Sequence, residues 1–183
     1  MFERLPCELA RVRLRAMRRA DVAAFHAYRC DPEVARFQGW SSVTRQQASE
    51  FVETQSRHHR LTPDAWHQLA IADRASDALI GDAGIWLSPD GLQAGIGLSI
   101  GSAAQGRGYG AECLNGLIDL LFSATPVLEI IGNVDARNAA CLAAVARTRM
   151  CLIGTRQVHS KGEACMEHAF SIRKPHAGDS PCS

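Results

Sequence analysis

The feature that most constrains this chain is Gln105-Gly106-Arg107-Gly108-Tyr109-Gly110, a run with glycine at alternate positions that opens its strongest helix signal. Leu114, Leu117, Ile118, Leu121 and Phe122 recur at helical spacing and stop before Pro126, so the pattern predicts a helix from about Gly108 to Ser123. A glycine-rich turn entering a helix gathers free backbone N–H groups and the positive end of the helix dipole at one spot. Missing Cβ atoms let a phosphate approach the main chain, and Arg107 adds a full positive charge. The segment therefore predicts an anion site, with a pyrophosphate as its natural ligand.

Gly106-x-Gly108-x-x-Ala111 also satisfies a loose dinucleotide fingerprint, but its context disagrees. Gly101 to Gln105 intervene after the preceding strand, and Glu129 begins the next strand where a ribose-binding acid would end it. No Gly-Lys-Ser/Thr follows for a nucleotide phosphate loop.

The rest of the chain reads as one mixed α/β domain over residues 1–174, with a disordered polar tail at 175–183. The 183 residues, 46% hydrophobic and 21% charged, suffice for a real core. A strand at Cys7–Leu14 precedes a helix from Asp21, a helical turn at Pro32–Arg36 behind Asp31, and a helix from a Thr44/Gln47 capping box. Strands at Trp66–Ala72, Ala78–Leu87 and Ala94–Ile100 form an antiparallel meander. After the central helix come a strand at Leu128–Val134, an Ala-rich helix at Asn138–Arg149, and strands at Leu152–Val158 and Cys165–Ile172.

Charge and cysteine content exclude several classes. Twenty basic residues, all Arg except Lys161 and Lys174, face nineteen acidic ones, without a basic stripe for nucleic acid. The near-neutral balance also disfavours a strongly cationic acceptor. Seven Cys with no C-x-x-C pair read as reduced thiols, and adjacent His58 and His59 read as a solvated helix end, so no metal site is expected. No apolar leader and no eighteen-residue apolar run is present, which predicts a soluble cytoplasmic protein without membrane contact.

Together, Ile96-Gly97-Leu98-Ser99-Ile100 and Gln105-Gly106-Arg107-Gly108-Tyr109-Gly110-Ala111-Glu112 resemble the acetyl-CoA signature (Q/R-x-x-G-x-G/A) of the GNAT N-acetyltransferases. Asn138, followed three residues on by Cys141, resembles that family's second block. Leu14-Arg15, Ala20-Asp21, Asp31-Pro32-Glu33-Val34 and Leu79-Ile80-Gly81-Asp82 resemble the RimJ/RimL-type branch. The likeness runs from about Leu9 to Arg173.

This resemblance implies a GNAT fold, a splayed mixed sheet of six to seven strands flanked by helices, parting between Ala94–Ile100 and Leu128–Val134. It implies acetyl-CoA as co-substrate and direct attack by a primary amine, from a peptide or protein N-terminus or a small molecule. Leu98, Ser99 and Ile100 would bind pantetheine, Gln105, Gly106, Arg107, Gly108, Tyr109 and Gly110 the pyrophosphate, and Asn138 with Cys141 would flank the thioester. A homodimer is left open. A second reading is a GNAT-like module that binds acyl-CoA without catalysis.

An attacking ammonium must lose a proton, from an ordinary pKa of about 8 for an α-amine. Gly95 stands where the family often has Glu, leaving Asp82, Glu163 and His168 as candidate bases, each with a structural alternative. Asp82 also reads as a strand-end carboxylate, Glu163 as a solvated loop charge, and His168 as a strand histidine. Cys141 occupies a serine-like place, either as the acid that protonates the leaving thiolate or as a packing residue. Trp40, Trp66 and Trp86 are candidate walls of an acceptor pocket, and Arg149-Met150 departs from the Gly-Phe or Gly-Met that usually closes the last helix.

Overall fold

The computed structural model describes residues 1–175. The expected tail therefore falls, apart from Pro175, outside the described residues. Eight strands form one sheet, one more than the upper sequence expectation, in the order β1-β2-β3-β4-β5-β6-β8-β7. They are β1 (Cys7–Glu8), β2 (Val12–Arg15), β3 (Trp66–Asp73), β4 (Leu79–Leu87), β5 (Gln93–Ile100), β6 (Glu129–Asp135), β7 (Cys151–Ser160) and β8 (Glu163–Arg173). The helices are α1 (Val22–Arg29), α2 (Pro32–Ala35), α3 (Arg45–Ser56), α4 (Tyr109–Ala124) and α5 (Ala139–Val145).

The additional strand arises because the expected first strand is a hairpin. Cys7 lies opposite Leu14, and the Leu9 N–H closes the turn on the Val12 carbonyl at 2.9 Å. Alternation looks the same in one strand or in two folded legs. What turns the chain is packing: Leu9 fills the space left by Gly116 on α4, where an added Cβ would come within 2.5 Å of Leu9 Cδ1. The Ala-rich helix is also shorter than expected. Thr148 Oγ1 donates to the Val145 carbonyl at 2.7 Å and accepts from the Met150 N–H at 3.1 Å, so side-chain bonds replace a glycine turn. Arg149 needs no positive φ and pairs with Asp119 at 2.6 Å.

Local chemistry accounts for the other helix starts. Thr44 and Gln47 form a reciprocal capping box on α3, and Asp31 Oδ1 accepts from the Glu33 N–H at 3.0 Å to start α2. Leu114, Leu117, Ile118 and Leu121 of α4 are buried against one face of the sheet, with Leu69, Ile71, Ile85 and Ile96 below them. On the opposite face, α1 and α3 bury Phe25, Tyr28, Ala48 and Val52 around Ala70 and Leu79. The sheet is a two-sided platform. Its seam between β5 and β6 is parallel but short: Gln93, Ala94 and Gly95 pair with Glu129, Ile130 and Ile131. Beyond Gly95 the two strands diverge.

Candidate active site

The divergence leaves half of β5 with a backbone edge facing a gap. Gly101 N–H donates to the Ile80 carbonyl on the β4 side at 2.9 Å, so odd-numbered backbone groups of β5 turn toward β4. Leu98 and Ile100 consequently face the gap, whereas Ser99 gives its backbone to β4 opposite Asp82. Two side-chain amides reach this edge. Gln38 Nε2 donates to the Leu98 carbonyl at 3.1 Å, and Gln105 Nε2 to the Ile100 carbonyl at 2.8 Å. Gln105 thereby fastens the glycine-rich segment to the end of the strand.

Gly106 and Gly108 adopt φ of +74° and +79°, where side chains are strained, so glycine is required for the turn into α4. Gly108 is the N-cap, with no side-chain cap, and nothing lies within 4 Å of a Cβ built at Gly106. The first N–H groups of α4 thus remain available to an anion. Two guanidinium groups from distant parts of the chain converge here. Arg11 Nη2 and Arg147 Nη1 lie 3.4 and 3.7 Å from a Cβ built at Gly108, while the charge of Arg107, a residue of the turn itself, is felt by Asp73.

Glu112 holds Arg11 in place. Its carboxylate accepts from Arg11 Nε at 2.8 Å and from the Arg11 N–H at 2.6 Å, while the Arg11 guanidinium lies 4.9 Å from the Tyr109 ring centre and donates to the Arg107 carbonyl. Burial pushes the Glu112 carboxyl up, and the Arg11 and Val12 bonds more than offset this to hold it down. Sequence reasoning missed Arg11 and Arg147, because no local pattern distinguishes them from the chain's other arginines. At the far side of the seam, a Cβ built at Gly110 of α4 would lie 3.4 Å from Ala144 Cβ of α5, so glycine lets the two helices approach.

Asn138 caps α5, its Oδ1 accepting from the Cys141 N–H at 3.0 Å. Cys141 packs against the main core, and burial pushes its thiol up. Glu163 starts β8 beside the exposed turn at Lys161 and Gly162, its Oε2 accepting from Arg137 Nη1 at 3.3 Å. Lys161 Nζ reaches the Ala35 carbonyl of α2 at 2.7 Å, so the β7–β8 hairpin tip meets the opposite helical layer.

Asp82 is elsewhere. It is 2% exposed on the α1 face, accepting from Tyr28 Oη at 2.7 Å and from Arg29 Nη2 at 2.7 Å. His168 sits on β8 opposite Val134, with Nδ1 2.8 Å from Thr155 Oγ1. Trp40 stacks over Arg29 at 4.1 Å, while Trp66 and Trp86 are cross-strand neighbours on β3 and β4. Among the described residues no cluster of three or more His, Cys, Asp or Glu side chains is arranged to hold a metal, and no helix is long and apolar enough to cross a membrane.

Comparison with known proteins gives this geometry a family. The model of the acetyltransferase (GNAT) domain matches residues 11–151. None of the curated proteins matches the chain. Among solved structures, a GNAT-family acetyltransferase from Bacillus anthracis superposes with a TM-score of 0.79 at 16% identity, covering 91% of this chain and 97% of that one. RimL, a ribosomal L7/L12 α-N-protein acetyltransferase in complex with coenzyme A, gives the same TM-score of 0.79, identity of 16% and coverage of 91% and 97%. Spermidine N-acetyltransferase from Vibrio cholerae, in complex with CoA and spermine, gives 0.75 at 16% identity, covering 89% and 95%. With an open mixed sheet of this form and a family match across most of its length, the chain belongs to the GNAT acetyltransferases.

Proposed function

We propose that this protein transfers acetyl from acetyl-CoA to a primary amine, at a peptide N-terminus or on a small molecule. The observation that carries the reading is one continuous surface: the edge of β5 left free by β6 runs into a glycine cradle at the α4 N-terminus where the Arg11 and Arg147 guanidinium groups meet. The residues fit the co-substrate. The gap-facing N–H groups of Leu98 and Ile100 suit the amide carbonyls of pantetheine, and the cradle suits a pyrophosphate. RimL and the spermidine enzyme carry CoA in their solved complexes, which supports the assignment.

Acetyl-CoA supplies an activated acetyl thioester, and the protein's residues handle position and protons. The Leu98 N–H is the gap-facing donor for the acetyl carbonyl. Cys141, held protonated at neutral pH by burial, is the proton donor to the departing thiolate. Glu163 takes the ammonium proton, since its Oε2 bond to Arg137 leaves Oε1 at the exposed hairpin to accept one. Asp82, saturated by Tyr28 and Arg29, serves as an anchor rather than as the base.

Thermal unfolding with acetyl-CoA, CoA and NADH tests the reading. A ligand at about 100 times its Kd adds about 2.7 kcal/mol, a rise of about 5–10 °C for a chain of this size. Both CoA species should produce it and NADH should not. Gly108→Glu should abolish the shift by placing bulk and negative charge in the cradle, and Arg147→Glu, on an exposed residue, should weaken it without backbone strain. No shift with either CoA species would overturn the proposal.

A further inference from the structure

Trp66 is 55% exposed, an unusual position for the largest apolar side chain, yet its ring is firmly seated. A Cβ built at Gly84 would lie 3.2 Å from its Cζ3, and one at Gly95 would lie 3.9 Å from its Cη2. Trp86, its cross-strand neighbour, flanks the same place, with Cβ and Cε3 both 3.7 Å from a Cβ at Gly95. The glycines therefore make a bed in the sheet on which the indole lies with one side toward solvent. A side chain at position 95 would start in ordinary contact with both indoles, so glycine there leaves the Trp66 ring uncovered.

Gly97, the next β5 residue on this face, is exposed and has nothing within 4 Å of a built Cβ. Bare backbone thus leads from the indole to the point where β5 and β6 part, with the Leu98 edge one residue on. The α1 and α3 layer ends short of this shelf, covering Ala70 and Asp82 but leaving Trp66 and Gly97 open. Beside the indole, the Gln68 carboxamide lies over Gly84 and closes the bed on that side.

Charge narrows the occupant further. The carboxylates of the strands on the same sheet face are each paired with an arginine, Asp82 with Arg29, Asp135 and Glu163 with Arg137, Glu167 with Arg156 and Glu129 with Arg173. A polycation would meet neutralised acids, whereas a planar apolar group would meet a fixed indole face.

We propose that Trp66 is the specificity-determining platform of the acceptor subsite, and that the acceptor is a primary amine carrying an aromatic ring, stacked on the exposed side of Trp66. This rests on the acetyltransferase reading. The shared chemistry has two sources, a free arylalkylamine or an aromatic residue at a peptide N-terminus.

The test compares kcat/KM for phenethylamine, its saturated counterpart cyclohexylethylamine, a Phe-initiated dipeptide amide, an Ala-initiated one, and spermidine. Each aromatic amine should exceed its non-aromatic counterpart at least tenfold, and the better aromatic substrate identifies the source. Trp66→Ala should erase that advantage through KM for the amine, leaving KM for acetyl-CoA unchanged, and Trp66→Phe should retain most of it. Titration of the CoA-loaded protein with phenethylamine should quench tryptophan emission, a quench largely lost in Trp66→Phe. Equal rates for the ring and its saturated counterpart, or an unaltered Trp66→Ala profile, would overturn the inference, as would absence of both turnover and quenching. A protein that gains stability with CoA but shows no aromatic preference would overturn this inference alone, whereas no stabilisation by CoA would remove the reading beneath it.

Discussion

At the scale of single residues, Cys141 is held at both ends of its chemistry. Its N–H is fixed by Asn138, which positions the first turn of α5, and burial pushes the thiol up so that it keeps its proton at neutral pH. A group used as a proton donor loses rate once it ionises, so activity should fall on an alkaline limb above the ordinary thiol range. Cys141→Ala should reduce kcat by about 100-fold, the lower end of general-acid effects, with little change in KM for acetyl-CoA. Cys141→Ser should move the alkaline limb upward. A pH–rate profile for each variant checks this, and an unchanged kcat in Cys141→Ala would leave the thiol as packing. Gly106 and Gly108 illustrate a different residue-scale constraint, because their positive φ angles disfavour any side chain.

Between elements, a histidine pair joins the end of α3 to β3. The Thr62 N–H donates to His67 Nε2 at 2.8 Å, so His67 carries its proton on Nδ1, 3.1 Å from His58 Nδ1. Desolvation holds the His67 pKa below its ordinary 6.5, with the neighbouring His58 acting in the same direction against the Thr62 contact. The unfolded chain then binds more protons than the folded one below that value, so stability is full above pH 6.5 and declines as pH falls through it. Melting temperature should drop as pH falls below about 6.5, ahead of the carboxylate range, and His67→Gln should flatten that segment. This link also shows why parts of the fold are legible in the sequence and others are not. Capping at Thr44 and Asp31, the α4 stripe and the glycine turn are encoded within a few residues, so they can be read directly. His58 reads locally as a solvated helix end, and only the return of β3 supplies its partner. Arg11 and Arg147 reach the cradle for the same reason, through contacts the sequence spacing conceals.

The whole molecule works as two helical layers gripping one sheet, and the layers must keep register for the acceptor face to meet the open seam. On the α4 side this register rests on a continuous apolar core. On the α1 side it also rests on Asp82, whose carboxylate ties Tyr28 and Arg29 to β4 while Trp40 and Phe25 enclose the guanidinium at 4.1 and 4.8 Å. Burial pushes the Asp82 carboxyl up, and Arg29 and Tyr28 oppose that shift. Removing one partner of such a pair leaves a charge buried without its counterion, a cost of about 3–5 kcal/mol. Asp82→Ala should therefore lower the melting temperature by about 10 °C. Asp82→Asn, which keeps the shape and loses the charge, should also be clearly destabilised while retaining turnover per folded molecule at low temperature. Paired unfolding and rate measurements separate anchoring from proton transfer: a normal melting temperature with a 100-fold fall in kcat would make Asp82 the base instead. The expected result follows from position, since a carboxylate at 2% exposure with both oxygens engaged has no direct route to an incoming ammonium, but can hold α1 against the strand beside the acceptor shelf.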